Sequence, residues 1–507
     1  MTGSDEKKHG SGFVKFVVRA CGVLVLLYVA LLLPERTPPA VKGAGRQPFE
    51  WKQDQYWKAL ELKFLQARSA GCASLAGDIT SRCAAVDQIL GAISRDRVAA
   101  NDPRLPALES NIVHLAPLIG ACPERLNDFI PLATRLRSEL KRQSIHWDFN
   151  AVSTRERIYR LLFGTRMAVE EVLLQAPAEF TIPEVLPGDN EPSQTPSATV
   201  RGATVHSGDI LLSRGGAPTS ALIARGNDFP GVFSHVALLH VDEKSGRASL
   251  IESHIERGVA IASIDEYLSD KKLRILVLRP RADLPALRKD PMLPHKAAAG
   301  SLEKARQIHI PYDFQMDYKD HTGQFCSEVV TAAYEPLDVK FWTGPTFISS
   351  PAVVTSLASF GVTHFETQEP AELEFDPQLV VVAEWRDRNT LFKAHVDDAV
   401  TDAMLESTQP GRSLGYNPWL LPVTRIAKAY SVVLNAFGKI GPVPEGMSAT
   451  TALRVKKYRN DHTAIANVVL RSADQFKAKN SYAPPYWELV NMAREADHKV
   501  RGKAKSP

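Results

Sequence analysis

The sequence predicts an α+β chain: a small antiparallel sheet with packed helices in its central region, preceded by a helical bundle and followed by further helices. Three observations predict it. Apolar residues recur at helical spacing from about residue 50 to 175 and again from Val423 onward, while short apolar runs bounded by turn residues crowd between Ser207 and Leu278. A lone cysteine, Cys326, then opens a segment in which Phe325, Val329, Val330 and Ala333 fall on one helical face.

Length and composition set the frame. At 507 residues, with 44% hydrophobic and 23% charged, the chain can bury a large core and build two or three domains. A net charge of +4 is too small for its length to indicate a nucleic-acid partner. No zinc-type cysteine pairs, Walker loop or dinucleotide glycine fingerprint occurs, so no metal site and no cofactor are expected.

Taken in order, residues 1–33 carry Lys7, Lys8, Lys15 and Arg19 ahead of an apolar run from Ala20 to Leu33 that Pro34 ends. Counted from Phe13 the run can just cross a bilayer if Lys15 and Arg19 snorkel. It reads as an uncleaved anchor, with a signal-peptide core as the alternative. Either way the positive-inside rule puts the basic flank in the cytoplasm and the bulk of the chain outside, giving a single-pass inner-membrane protein with a periplasmic body. Residues 34–50, rich in proline, glycine and basic residues, read as a linker.

Residues 51–175 read as a helical bundle. Trp57, Leu60 and Phe64 share a face, as do Val86, Ile89, Leu90 and Ile93, then Leu108, Ile112 and Leu115, then Leu126, Phe129 and Ile130. Ser153-Thr154-Arg155-Glu156 matches a capping box for the last helix. Cys72 and Cys83, if on one unbroken helix, lie too far apart to bridge, so a disulfide would join Cys122 to one of them.

Residues 176–203, carrying Pro177, Pro183, Pro187, Pro192 and Pro196, read as an exposed linker. Strands follow at Ile210–Arg214, His235–Val241, Ala248–His254 and Leu273–Leu278, with a helix from about Ala297 to Ile308, the cysteine helix, and a closing strand over Gln378–Trp385. This unit is placed at residues 204–392. Residues 393–507 read as C-terminal helices, one with Val423, Ile426, Tyr430, Val433, Leu434 and Phe437 on its apolar face and one from about Thr450 to Phe476. A basic tail of Lys499, Arg501, Lys503 and Lys505 ends the chain.

Cys326 is the candidate nucleophile, because a cysteine in the first turn of a helix lies against the positive end of the macrodipole, which favours thiolate. His235, at the start of a strand, is the candidate base. Period-2 alternation puts Glu252 and His254 on one strand face, and a hairpin turn through Asp242 and Gly246 brings Glu252 toward His235. Glu252 is the expected orienter of the imidazole, and His254 the competitor for that role. His240 points to the opposite face and packs. The loop from Asp317 to His321 either lines the cleft or is solvated.

In this order, Gly208-Asp209-Ile210, Ser234-His235-Val236, Ile251-Glu252-Ser253, Pro311-Tyr312-Asp313 and Phe325-Cys326-Ser327-Glu328 resemble the circularly permuted branch of the NlpC-type papain-like cysteine peptidases. These are the YiiX/YebB-like amidases, related in fold to lecithin:retinol acyltransferase. The resemblance covers about residues 204–392. It implies a papain-like domain whose Cys-His-polar triad maps onto Cys326, His235 and Glu252, with Tyr312 near the reacting carbonyl as an oxyanion or substrate residue. The implied reaction is hydrolysis of an amide or ester in a cell-envelope peptide or lipid through an acyl-enzyme. A lipid acyltransferase and a non-catalytic envelope scaffold remain the alternatives.

Overall fold

Alternation along the central strands dictates a sheet with two buried faces. Ile210, Leu212, Val236, Leu238, Ile251, Leu276 and Leu278 belong to one core; Leu211, Ala237, Leu239, Leu250, Ile275 and Val277 belong to another on the opposite face. The computed structural model describes residues 6–33, 35, 42–51, 54–177, 180, 182–342 and 344–503, with the backbone alone for 6–13, 502 and 503. Pro34, residues 36–41 of the expected linker, Lys505, and the side chains of Lys7, Lys8 and Lys503 therefore lie outside the described residues.

The strands are β1 (Val185–Pro187), β2 (Ser197–Val200), β3 (Ala203–His206), β4 (Ile210–Gly215), β5 (His235–Val241), β6 (Ala248–His254), β7 (Gly258–Ser263), β8 (Lys272–Pro280), β9 (Thr346–Phe347), β10 (Glu366–Thr367) and β11 (Leu379–Arg386). Seven of them form one antiparallel sheet in the order β1-β11-β8-β4-β5-β6-β7. The β2–β3 hairpin supplies Val200 and Val205 to the core on one of its faces.

Among the helices, α1 (Glu6–Leu32) contains the stretch Val14–Leu32, long and apolar enough to cross a membrane and wholly unburied. The bundle comprises α2 (Asp54–Ala70), α3 (Cys72–Arg95), α4 (Arg104–Ala121), α5 (Leu126–Ser144) and α6 (Val152–Gln175). Within the sheet domain come α7 (Pro218–Arg225), α8 (Ile264–Ser269), α9 (Pro285–Lys289), α10 (Leu293–Gln307), α11 (Glu328–Tyr334) and α12 (Pro351–Ala358). Then follow α13 (Arg388–Glu406), α14 (Leu421–Ala436), α15 (Ala449–Asn480) and α16 (Tyr486–Lys503). The bundle core and one sheet face are continuous, so the helical and sheet regions share a single interior.

Several expectations change in three dimensions. The capping box does not form: α6 starts at Val152 with Ala151 as its cap and no side-chain cap bond, because the turn at Asp148–Ala151 sets the helix entry one residue before Ser153. The proline-rich segment 176–203 is not simply exposed. It supplies β1, an edge strand on which Pro187 is tolerated, and buries Leu186 and Thr195. The boundary expected at residue 392 falls inside α13, which packs on α6, α7 and β8 and so binds the C-terminal helices to the sheet. Cys72 does pair with Cys122, with Cα atoms 5.4 Å apart, while Cys83 stays free farther along α3.

A buried ion network crosses all three regions. Register pairs Arg214 of β4 with Arg274 of β8, and Arg274 with Arg386 of β11, so three guanidinium groups stand on neighbouring strands. Like charges in such a row repel. Glu170 of α6, fully buried, meets Arg274 at 2.6 Å, Arg166 at 3.3 Å, Arg386 at 3.5 Å and His395 of α13 at 2.8 Å. Asp398 of α13 meets Arg214 at 2.6 Å, and Arg166 meets Glu384 at 2.7 Å. Burial alone would raise the Glu170 pKa, but Arg274, His395 and Arg166 hold it well below the usual carboxylate range.

Glu170→Gln leaves the arginine row without its shared anion, and breaking such a buried pair costs ~3–5 kcal/mol. The expected result is a clearly lowered thermal midpoint for the full chain. Because the folded-state pKa of Glu170 is depressed, its stabilisation is present above the unfolded carboxylate pKa and is lost as pH falls below it. The gap in midpoint between wild type and Glu170→Gln therefore narrows in acid.

Candidate functional site

At the start of β5 the chain passes from Ser234 to His235, and the register Ala237↔Glu252 then fixes how β6 lies beside it. His235 sits one alternation from Ala237, and His254 one from Glu252, so all three polar side chains project on one sheet face at the same strand ends. His235 Nε2 and Glu252 Oε2 are 2.7 Å apart. His254 Nε2 lies 3.0 Å from the other carboxylate oxygen, Oε1. The two imidazole rings stand 5.5 Å apart with Glu252 between them.

Burial shapes the charges here. Glu252 is almost completely covered, which would raise its pKa, but hydrogen bonds from His235 and His254 hold it far below the carboxylate range. The His235 pKa is lowered from 6.5, chiefly by burial and in part offset by Glu252. At neutral pH the carboxylate is thus charged and the imidazole neutral.

Cys326 lies in a tight turn just before α11, outside the helix itself, whose first residue is Glu328. Its sulfur approaches the start of β5, 4.0 Å from the Ser234 carbonyl oxygen and against the Val236 amide, the main-chain groups on either side of His235. The turn is held at three points. Glu328 accepts the Phe325 N–H at 3.0 Å and meets His321 at 3.0 Å, and Ser253 Oγ donates to the Gln324 carbonyl at 2.5 Å. The expected depression of the thiol pKa is not found. Burial pushes Cys326 up to about 12, with the Glu369 charge adding to it, because a cysteine 5% exposed ahead of a seven-residue helix loses more by desolvation than the helix end returns.

Tyr312 reaches the same region from the other side. Gly258, at φ +68°, leaves no room for a Cβ against the Ile310 carbonyl, and Val259 N–H donates to that carbonyl at 2.9 Å. Next to it, the Pro311 carbonyl accepts the Gln324 N–H at 2.9 Å, tying the Tyr312 loop to the cysteine turn. The ring packs edge-on against Phe314 at 4.9 Å. Its hydroxyl pKa is raised by burial and then by the neighbouring Cys326.

Four residues that the sequence brought forward, Gly208, Asp209, His240 and His321, have structural work. Gly208, at φ +95°, backs onto Pro294, Asp209 pairs with Arg279 at 2.8 Å, and Tyr334 donates to the Gly208 carbonyl at 2.6 Å. His240 stacks on His295, 5.3 Å away. His321 belongs to the cysteine turn through Glu328 rather than to a solvated loop.

One side chain escapes sequence reasoning and another is only partly read. Glu369 is buried at the turn after β10, its pKa pushed up to about 8 by burial and Glu372, and its Oε2 has no hydrogen-bond partner. Nothing in its local sequence marks it. His254 was legible as a same-face neighbour of Glu252, but not as a second clamp acting together with His235. One ligand atom each from His235, Glu252 and His254 lies within 4.8 Å of the others, so these residues could hold a zinc-class ion, a donor set that the sequence alone did not suggest.

Residues 204–383 match the family model described as permuted papain-like amidase enzyme, YaeF/YiiX, C92 family. The crystal structure of the metalloprotein YiiX from Escherichia coli O157:H7 is similar over 36% of this chain and 98% of that chain, at 21% identity and a TM-score of 0.28. No curated protein matches the chain closely enough to count as a relative. The match lies wholly within the sheet region and leaves both helical flanks outside it. The central domain is a permuted papain-like amidase domain of the YaeF/YiiX, C92 family.

Proposed function

We propose that the chain is a membrane-tethered thiol hydrolase, in which Cys326 attacks an amide or ester carbonyl with His235 as base and Glu252 as orienter. The observation that carries this reading is the 2.7 Å bond between His235 Nε2 and Glu252, made where the Cys326 sulfur meets the main chain around residue 235. With Nε2 committed to the carboxylate, Nδ1 is the nitrogen left to take the thiol proton.

The buried thiol stays protonated at rest, so the proton leaves during attack rather than before it. Cys326 Sγ bonds to the carbonyl carbon, its proton passes to His235, and Glu252 stabilises the imidazolium that forms. His235 then protonates the leaving amine or alkoxide as the bond to carbon breaks. Water, deprotonated by His235, releases the acyl group and restores the thiol. Tyr312 and the Cys326 N–H are the donors proposed for the oxyanion.

The substrate reading is a cell-envelope peptide, amide or lipid ester. Two features support a site of action outside the cytoplasm: a helix long and apolar enough to span a bilayer, and the Cys72–Cys122 bridge, which persists in oxidising compartments. The anchor beside the domain also keeps lipid acyl transfer open as the second reading, with an acceptor lipid replacing water.

Turnover of amide or ester substrates by Cys326→Ala is expected to vanish, and a thiol-directed electrophile should label wild type at Cys326 far faster than His235→Ala. Equal labelling of both proteins would remove His235 as base and favour the scaffold reading. Glu252→Gln is expected to retain a fraction of the rate, about 10²–10⁴-fold down if the carboxylate acts as orienter of a general base. Since the His235 pKa is lowered from 6.5, the imidazole is neutral and competent at neutral pH, and kcat/KM should fall as acid protonates it below that value. A pH–rate profile flat through that range would contradict the assignment.

A further inference from the structure

The apolar face read from the sequence along α14 is largely exposed, as are apolar residues at its two ends. Trp419, Val423, Ile426, Tyr430, Val433 and Phe437 are 67%, 63%, 63%, 58%, 55% and 77% exposed. Their spacing of four, three, four, three and four residues draws one apolar stripe along α14, with Trp419 in the single turn that precedes it and Phe437 at its C-terminal cap. The opposite side is occupied: Leu421 packs with Ala449 and Leu453 of α15, and Ser431 accepts the Val443 N–H at 2.9 Å. The helix is thus seated on the protein by one face and bare on the other. A water-facing stripe of this size needs a partner.

What lies next to it identifies that partner. Arg425 of α14 donates to the carbonyls of Leu31 and Leu33, each at 2.7 Å, at the C-terminal end of α1. Tyr28 donates to the Trp419 carbonyl at 3.2 Å. The bare stripe is therefore joined to the end of the wholly unburied apolar helix, and a bilayer that takes up the one meets the other at its surface. Trp419 and Tyr430 are the residue types that prefer the membrane–water boundary, and Lys428 adds a cation to the same helix.

We propose that α14 is a second membrane contact, an interfacial helix that lays its Trp419–Phe437 stripe into the outer leaflet beside the end of α1. This rests on the proposed tether and deepens it. One spanning helix alone leaves a domain free to swivel, whereas a spanning helix and an interfacial helix bonded to its end fix the height and orientation of the Cys326 cleft above the lipid.

The test uses the full chain with Cys21, Cys83 and Cys326 replaced by serine and the Cys72–Cys122 bridge retained. A polarity-sensitive fluorophore is placed on Leu26→Cys in α1, on Val433→Cys or Ile426→Cys in the stripe, and on the exposed Lys456→Cys of α15 as control. Each protein is reconstituted into phosphatidylcholine–phosphatidylglycerol vesicles with or without bromine on the acyl chains. Expected is loss of most fluorescence at residues 26, 426 and 433 in brominated vesicles and none at 456. Quenching at 26 without quenching at 426 and 433 leaves the tether standing and overturns the interfacial helix. Absence of quenching at all three overturns both. Stripe labels shielded from brominated lipid, together with inter-copy disulfides formed by the same cysteines when left unlabelled and oxidised, overturn it in favour of self-association.

Discussion

Three arginines on adjacent strands, stripped of water, would tear the sheet apart if left alone. Arg214, Arg274 and Arg386 occupy such a row, and besides Glu384 of β11 itself the anions that answer it come from outside the sheet: Glu170 from the bundle and Asp398 from the C-terminal helices. Everything else in the architecture follows from this requirement. In the folded chain α6 and α13 both supply anions to this row, so the three regions are joined through it. The apolar core supplies the larger share of stabilisation, and the charge network ties α6 and α13 to the sheet within it.

The row stands beside the site, because Ser213, next to Arg214 on β4, pairs in register with His235 on β5. With β4, β8 and β11 held by the network, β5 and β6 take a single register, and one step of slip would turn His235 and Glu252 to opposite faces. Glu252 then holds an imidazole on each oxygen, His235 on one and His254 on the other. A carboxylate clamped from both sides cannot swing, which suits it to holding a ring in one tautomer and orientation. The thiol, by contrast, is kept neutral by burial, so that in the proposed mechanism its reactivity waits on a substrate carbonyl and a base rather than being permanently expressed.

Strand β1 and helices α13 and α14 show how the surroundings of a matched family domain carry their own information. The residues that meet the family model end at 383, yet the domain is completed by α13 beyond that point and by β1 before it. The helical flanks are structural partners of the sheet, and in the case of α14 they carry an apolar surface that the domain itself lacks.

Periodicity by itself determined the class of fold, most of the sheet strands and the bundle helices, because burial of alternate or every third-to-fourth residue is a local property of sequence. The sequence also singled out Cys326, His235 and Glu252, since reactive residue types beside turns and strand ends are visible without coordinates, while Tyr312 came only with the family resemblance. It excluded the Cys72–Cys83 pair by helical rise alone, leaving Cys122 as a partner. Only the tertiary structure decided which cysteine Cys122 takes, that His254 and His235 share one carboxylate, that Glu369 stands near the thiol, and that the α14 stripe stays bare. Each of these depends on distance between segments far apart in the chain, or on how much water burial removes. Desolvation is the clearest case: the helix start beside Cys326 promised a low pKa, and the surrounding protein, invisible in the local sequence, raised it instead.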